Sequence, residues 1–178
     1  KVVTLAAPFN GTPAELARTE YRFAALQWTD KGVGLLTEND RTTRRTRTWV
    51  IDGAGAAPRK LWDRSAEDSY SHPGTPVRRD GASGLDVIPQ TGSTIFLAGA
   101  GSSPQGDKPF LDALDLATLT ATRKYQMAEG YEPIVGLLAG DGSRVLTRFE
   151  TKNTPPATLV RSTTDGRRVT LTTSVDPA

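Results

Sequence analysis

The stretch RTRTWVIDG, Arg45–Gly53, decides the fold class because it delivers a β-strand directly into a turn. Thr48 and Val50 alternate with Trp49 and Ile51, and Asp52 and Gly53 then end the run. The same pattern returns at wide intervals along the chain. We therefore interpret the stretch as one strand of a repeated antiparallel unit.

Three segments share one order of elements: apolar run, tight glycine-containing turn, apolar run, polar loop, third run, turn and fourth run. Each segment predicts a four-stranded meander. The predicted boundaries are 1–19 for the last two strands of a preceding unit, 20–63, 85–128 and 129–176 for complete units, and 64–84 for an inserted loop. Leu36, Leu97 and Leu146 hold equivalent positions in the three units and are predicted to be buried.

The repeat length is close to the roughly 40 to 50 residues of a propeller blade. The predicted fold is all-β, a partial β-propeller of about three and a half four-stranded antiparallel blades, fewer than the roughly 4 to 8 blades of a closed propeller. One segment gives a competing signal. TPAE, Thr12–Glu15, is a helix capping box, but a strand is predicted over 14–18 because PAELAR occupies the repeat position of PRKLWD and RRVTLT.

The connections between predicted strands differ in length in a regular way. Tight turns are predicted to leave one face of the propeller and long connections the other; the long ones are 39–46, 99–108, 151–156 and the insertion before 85. Since function concentrates on loops carried by a rigid scaffold, the long-loop face is the predicted functional face. The alternative is that long loops accumulated where nothing opposed them.

Four arginines of the predicted long-loop face are candidate contacts for a substrate or a neighbouring domain. They are Arg41, Arg44, Arg45 and Arg78. Guanidinium groups bind carboxylates through two parallel hydrogen bonds, which suits an acidic peptide or a domain interface. The alternative interpretation is a solvated basic loop.

Charge and composition exclude several functions. With 22 Lys and Arg against 20 Asp and Glu, the net charge of +2 gives no reason to expect a nucleic-acid partner, and the sequence holds no apolar run long enough to cross a membrane. There is no cysteine and no Gly-x-Ser-x-Gly motif, and the single histidine, His72, is interpreted as a turn residue before Pro73 and Gly74. We therefore predict no catalytic residue, no metal site and no cofactor in this chain.

Four phrases carry a family resemblance: TEYRFAALQW, RTRTWVID, LWDRSAEDSYSHPGTP and FLAGAGSSPQGDKPFLDALDL. They are similar to the propeller region of prolyl oligopeptidase family serine peptidases, in particular the glutamyl endopeptidase branch of bacteria and chloroplasts. The resemblance implies a larger enzyme in which an α/β-hydrolase domain carries the serine, aspartate and histidine. The segment would then dock on that hydrolase domain and gate access of the peptide substrate. Bacterial members are often exported, which favours a periplasmic or secreted location.

Two other functions stay open at the level of the sequence. The chain is compatible with an independent propeller module that binds a protein or a glycan. It is also compatible with a structural role in an assembly, because unpaired edge strands favour self-association through completion of each other's sheets.

Overall fold

The structure, a computed structural model, describes residues 1–53, 56–81, 84–128 and 131–173. All strands in these ranges pair antiparallel, in three four-stranded and two two-stranded sheets, and none of the ranges contains a helix. The predicted all-β class, with four-stranded antiparallel sheets, is confirmed. The chain divides into two units, Lys1–Asp68 and Ser69–Ala178.

None of the described ranges holds a helix with the length and apolar character needed to span a membrane.

The first unit contains a two-stranded and a four-stranded sheet. Its strands are β1 (Val2–Thr4), β2 (Ala14–Ala17), β3 (Arg22–Trp28), β4 (Gly34–Asp40), β5 (Arg45–Ile51) and β6 (Arg59–Ser65). Strands β3 to β6 pair in chain order, as expected for a meander. Leu16 and Ala17 of β2 are buried in one cluster with Leu36 and Ile51. Strand β2 therefore forms where the capping box favours a helix, because tertiary burial outweighs local propensity.

A buried carboxylate ties together strands β4 and β5 and the residue that precedes β3. Glu38 of β4 is fully buried. Its Oε2 accepts a hydrogen bond from the Tyr21 backbone N–H at 2.8 Å, and its Oε1 accepts one from the Trp49 indole N–H at 2.9 Å. Buried polar groups are stable in a protein interior only when they are hydrogen-bonded in this way.

The second unit contains two four-stranded sheets and one short hairpin. Its strands are β7 (Thr75–Pro76), β8 (Arg79–Asp80), β9 (Asp86–Val87), β10 (Thr94–Gly99), β11 (Phe110–Asp115), β12 (Thr120–Gln126), β13 (Ile134–Leu137), β14 (Arg144–Thr151), β15 (Thr154–Ser162) and β16 (Arg168–Thr170). One sheet has the order β12-β11-β10-β7 and the other the order β13-β14-β15-β16, while β8 pairs only with β9. Apart from the inserted hairpin, both sheets follow chain order.

The start of the first of these sheets differs from the prediction. The sequence predicts an inserted loop over 64–84 and a first strand at LDVIPQ, whereas in the structure β7, inside that loop, pairs with Leu97 and Ala98 of β10. Within LDVIPQ, Asp86 and Val87 form strand β9, which pairs with β8 rather than with β10. A two-residue strand that contains proline at a sheet edge has no periodicity for sequence reasoning to detect.

The two sheets of the second unit pack face to face. Val77, Phe96 and Leu111 of the first sheet and its flank are buried in one cluster with Val145 of the second, and Ile134 packs against this cluster. The close approach has two visible signs. The Phe96 ring lies over the backbone of Gly142, where an added Cβ would stand 2.3 Å from a ring carbon. The Thr91 hydroxyl also donates a hydrogen bond to the Gly140 carbonyl at 2.8 Å.

A buried ion pair fixes the second sheet. The Arg161 guanidinium donates to both carboxylate oxygens of Glu132, at 2.6 Å from Nε to Oε1 and 2.5 Å from Nη2 to Oε2. The Thr147 hydroxyl donates to the same carboxylate at 2.7 Å. Burial by itself would raise the pKa of Glu132, but the hydrogen bonds from Arg161 and Thr147 outweigh it and hold that pKa below its ordinary value.

The burial of the three equivalent leucines gives a first test. Leu36 and Leu97 are 1% and 0% exposed, so we expect Leu36→Ala and Leu97→Ala each to lower the free energy of unfolding by about 2 to 5 kcal/mol. Leu146 is predicted from the sequence to be buried but is only half-buried, because it lies on the face of β14 opposite the shared cluster. Leu146→Ala should therefore cost less than either, as measured by chemical denaturation followed by circular dichroism.

The Glu132–Arg161 pair gives a second test. Glu132→Gln leaves the buried guanidinium without its counter-charge, and we expect a loss of about 3 kcal/mol of stability at neutral pH. Because the folded-state pKa of Glu132 is lowered, its contribution is present above the unfolded pKa and is lost as the pH falls through the folded pKa. Thermal unfolding from pH 7 to pH 2 should show this acid-labile component in the parent chain and not in the variant.

The matched control is the double replacement Glu132→Leu with Arg161→Met, which removes both charges and should be less destabilising than Glu132→Gln alone. Equal stability of the parent and Glu132→Gln at pH 7 would contradict the assigned role.

Candidate functional site

The basic stretch at Arg41 to Arg45 forms a tight hairpin rather than the long connection expected over 39–46. Strands β4 and β5 stay paired as far as Asp40 opposite Arg45, so only 41–44 form the turn. The Asp40 carboxylate accepts hydrogen bonds from the Thr43 hydroxyl at 2.5 Å and the Thr42 backbone N–H at 3.0 Å. These bonds, that from Thr43 first, lower the pKa of Asp40 and explain why a polar sequence turns so sharply.

Carboxylates of the first unit engage two of the candidate arginines. Arg44 pairs with Glu67 at 2.7 Å from Nη1 to Oε1, and Arg45 pairs with Asp63 at 2.6 Å from Nη2 to Oδ1. Arg47 binds the other oxygen of Asp63 at 2.9 Å. The hydrogen bonds from Arg45 and then Arg47 lower the pKa of Asp63. Arg45 and Arg47 therefore have a structural task, the pairing of β5 with β6.

The remaining two candidates differ from each other. Arg41 is exposed and forms no ion pair with any residue of the described part of the chain. Arg78 lies in the second unit, at 3.1 Å from Asp86 across an exposed pair. An exposed pair such as Arg78–Asp86 contributes little to stability. The Arg78 guanidinium is therefore available for exchange with another carboxylate. Contact of Arg41, Arg44, Arg45 and Arg78 with a substrate or domain stays a prediction.

The division into a short-loop and a long-loop face is only partly right. The connection expected at 151–156 is a turn of two residues, because Thr151 pairs with Thr154. The connection 77–93 joins β7 to β10, the first two strands of their sheet. The sequence predicts a short turn at this place, on the face opposite the long loops. One long loop, 100–109, lies where it is predicted.

That loop and the segment 69–74 border an open cavity at one end of the first sheet of the second unit. The segment 69–74 leads into β7, and the loop 100–109 follows β10. Because β7 and β10 are antiparallel, the two segments lie at the same end of the sheet. The cavity has a volume of about 510 Å³. Its lining is mostly polar and comprises Tyr70, Ser71, His72 and Pro73 from one segment, Gly101, Ser102, Ser103, Gln105 and Lys108 from the other, and Phe110, Asp112, Arg123 and Gln126 from β11 and β12.

The floor of the cavity is a stack of three residues. Phe110 lies over the backbone of Gly99, its partner across β10 and β11, where a side chain would collide with the ring. The Arg123 guanidinium lies 4.0 Å from the centre of the Phe110 ring and hydrogen-bonds Asp112 through Nε. The Asp112 side chain is 12% exposed, so its charge is balanced by Arg123 inside the sheet rather than by solvent.

The wall of the cavity is held by backbone hydrogen bonds. The Lys108 N–H donates to the Gly101 carbonyl at 3.0 Å, and Gly101 has a left-handed φ of 64°. A Cβ on Gly101 would stand 2.0 Å from the Lys108 carbonyl oxygen, so only glycine fits here. The opposite wall is fixed by the Gly74 N–H, which donates to His72 Nδ1 at 3.0 Å. His72 thus lies in a turn, as the sequence predicts.

Sequence reasoning missed Lys108, Asp112 and Arg123 as members of this site. The available signal was the two longest phrases of the family resemblance, which contain the segments 69–74 and 100–109 that meet at the cavity. The pairing of Asp112 with Arg123 depends on the register of β11 against β12, which shifts at a bulge between Leu111 and Asp112. Sequence spacing does not reveal such a shift.

Comparison with known proteins finds two curated relatives that share one name. No family model matches the chain. A protein named probable glutamyl endopeptidase, chloroplastic, from Oryza sativa subsp. japonica is 38% identical over an alignment of 165 positions, which covers 83% of this chain and 18% of that protein. The chain is similar to glutamyl endopeptidases. A second protein of that name, from Arabidopsis thaliana, is 36% identical over an alignment of 137 positions, which covers 71% of this chain and 14% of that protein.

The chain therefore spans less than a fifth of the length of these curated relatives. Among solved structures, the crystal structure of TolB from Acinetobacter baumannii aligns with a TM-score of 0.38 at 11% identity, over 94% of this chain and 48% of that one.

The fit of Gly101 against Lys108 provides a test of the cavity wall. Gly101→Ala should cost about 3 kcal/mol of stability and displace the loop, because it adds a backbone collision to the strain of a left-handed alanine. The matched control is Gly92→Ala, which has a similar φ of 59° but open space around the added Cβ, and should cost about 1 kcal/mol. Equal losses in a denaturant titration would show that loop 100–109 is not packed as described.

Proposed function

We propose that this chain is a non-catalytic β-propeller segment of a glutamyl endopeptidase-like serine peptidase of the prolyl oligopeptidase family. In this proposal the segment docks on a hydrolase domain and controls the access of peptides to it. The observation that carries the proposal is the similarity to glutamyl endopeptidases over 83% of the chain. The residues of bond cleavage would be supplied by the hydrolase domain, since the Gly-x-Ser-x-Gly motif is absent from this sequence.

The sheet order supports the propeller part of the proposal. A propeller blade is a four-stranded meander, and the described strands form three sheets of four, two of them strictly consecutive in the chain. In the second unit two such sheets pack face to face through Phe96 and Val145, as neighbouring blades do. The two-stranded sheet of β1 and β2 corresponds to the end of a preceding blade.

The cavity supports the gating part of the proposal. Its walls are loops, while its floor is built from paired strands, which is the usual arrangement of a binding surface on a rigid scaffold. The loop 100–109 carries four exposed or half-exposed polar residues at its outer turn, Ser103, Gln105, Asp107 and Lys108. A peptide or a neighbouring domain that approaches this end of the sheet would meet these side chains first.

Activity measurements on the full-length natural protein test the proposal. The full-length protein should cleave fluorogenic peptides after glutamate, whereas the 178-residue chain alone should cleave none. Replacing 103–107 by Gly-Gly in the full-length protein should raise kcat/KM for a long, partly folded substrate by about tenfold and change that for a short peptide by less than about threefold. A full-length protein without peptidase activity would contradict the proposal and favour an independent binding module.

The proposed contact of the candidate arginines has its own test. Arg44→Ala should change the ratio of kcat/KM for glutamate-containing and glutamine-containing peptides in the full-length protein, with stability almost unaltered because the pair with Glu67 is exposed. Arg59→Ala is the matched control, since Arg59 forms a comparable surface pair with Asp52 on a different part of the sheet. An unaltered ratio in Arg44→Ala would remove this residue from substrate recognition.

A further inference from the structure

We infer that strand β16, at the edge of the sheet β13-β14-β15-β16, is a self-association edge that pairs antiparallel with β16 of a second copy of this chain. In that pairing Val169 lies opposite Val169 of the second copy, on a two-fold axis. The inference rests on the backbone and the side chains of this one sheet, and it is independent of the proposed function.

The outer side of β16 presents backbone groups that the chain does not use. The Arg167 carbonyl accepts a hydrogen bond from β15, and the Leu171 N–H donates one to β15, both at 2.8 Å. Because the direction of hydrogen bonding alternates along a strand, Val169 also bonds β15, whereas the backbone groups of Arg168 and Thr170 point away from the sheet. Among the described residues, none occupies the hydrogen-bonding positions beyond them.

The other edges of the four-stranded sheets are irregular. A register shift interrupts the pairing of each of β3, β6, β12 and β13 with its neighbouring strand. Strand β7 pairs through only two residues, one of which is Pro76. Bulges, prolines and very short strands are features that keep a sheet edge from pairing with another chain. The pairing of β15 with β16 has no register shift, so this edge stays regular where a second copy would meet it.

The side chains of this sheet would match those of a second copy. Leu146 of β14 lies opposite Val160 of β15, and Val160 lies opposite Val169. Residues that lie opposite each other share a face, so the three side chains form an apolar row on the face opposite the cluster of Val145. The row ends at Val169, which is 63% exposed. A two-fold axis at Val169 would continue the row into the second copy and cover both valines.

The register also separates the charges of this edge. With Val169 on the axis, Arg168 lies opposite Thr170 of the second copy, so the two Arg168 side chains are diagonal neighbours rather than direct partners. The Arg168 guanidinium lies 5.1 Å from the centre of the Phe149 ring of its own sheet. Because the remaining repulsion between like charges is screened by salt, association should strengthen as the ionic strength rises.

Cysteine cross-linking tests the register. The chain has no cysteine, so an introduced one is its single thiol. Residues that lie opposite each other without sharing hydrogen bonds have Cα atoms about 4.5 Å apart, within the range for a disulfide. Mild oxidation of the 178-residue chain with Val169→Cys, using copper phenanthroline, should therefore give a disulfide-linked dimer as the main product on a non-reducing gel.

Leu171→Cys is the matched control. Leu171 directly follows β16 and is 56% exposed, but in this register it lies opposite Arg167 of the second copy. The two introduced thiols would then be about 13 Å apart along the strands, too far for a disulfide. Leu171→Cys should give about tenfold less cross-linked dimer than Val169→Cys.

Proline substitution tests the backbone pairing. The parent chain should show a reversible monomer–dimer equilibrium between about 1 and 100 µM in sedimentation equilibrium, with more dimer at about 0.5 M than at about 0.15 M NaCl. Thr170→Pro removes an N–H that points away from the sheet, a position where an edge strand tolerates proline. It should weaken association about tenfold and leave the circular dichroism spectrum as in the parent.

Three results would overturn the inference. They are a parent chain that stays monomeric up to about 100 µM, cross-linking of Val169→Cys that does not exceed that of Leu171→Cys, and association that is unaltered in folded Thr170→Pro. An edge that pairs only with a strand of a different protein would give the first of these results.

Discussion

The second unit depends on the insertion of the Phe96 ring between two sheets. Phe96 points from the centre of one sheet onto the backbone of Gly142, and Val77, Leu111 and Val145 close the cluster around it. A β-sheet must bury one of its faces, and here each sheet covers a face of the other. The Glu132–Arg161 pair then satisfies the charged groups that this packing buries, which would otherwise oppose it.

This packing has consequences at the end of the first sheet, where the cavity lies. Strands β10 and β11 supply both the cluster, through Phe96 and Leu111, and the origin of loop 100–109. The cavity floor of Phe110, Asp112 and Arg123 therefore lies on paired strands, one of which is anchored in the core, while the walls are loops. Polar, partly exposed walls on such a floor are compatible with the contact to a peptide that is proposed for this segment. The function proposed for the chain, access control rather than bond cleavage, requires no more than that.

Much of the fold follows from the sequence, because alternating runs and glycine turns specify meanders. RTWVID, TIFLAG and RVLTRFE each form a strand where predicted, and strand β2 forms despite its capping box. The failures have physical causes. Strand β7 is too short for periodicity, and the turn 41–44 is tight because Asp40 caps it, which composition alone hides. The candidate site was mostly missed, since Asp112 meets Arg123 only through a bulge and Lys108 reaches the cavity only through the fold of its loop.

A double-mutant cycle between Phe96 and Val145 tests the central claim most directly, namely that the two sheets of the second unit share one core. The free energies of unfolding are compared for Phe96→Ala, Val145→Ala and the double variant. Packed side chains should show a coupling of about 1 kcal/mol or more. Additive losses, within about 0.3 kcal/mol, would mean that the two sheets are stabilised independently and would contradict the account.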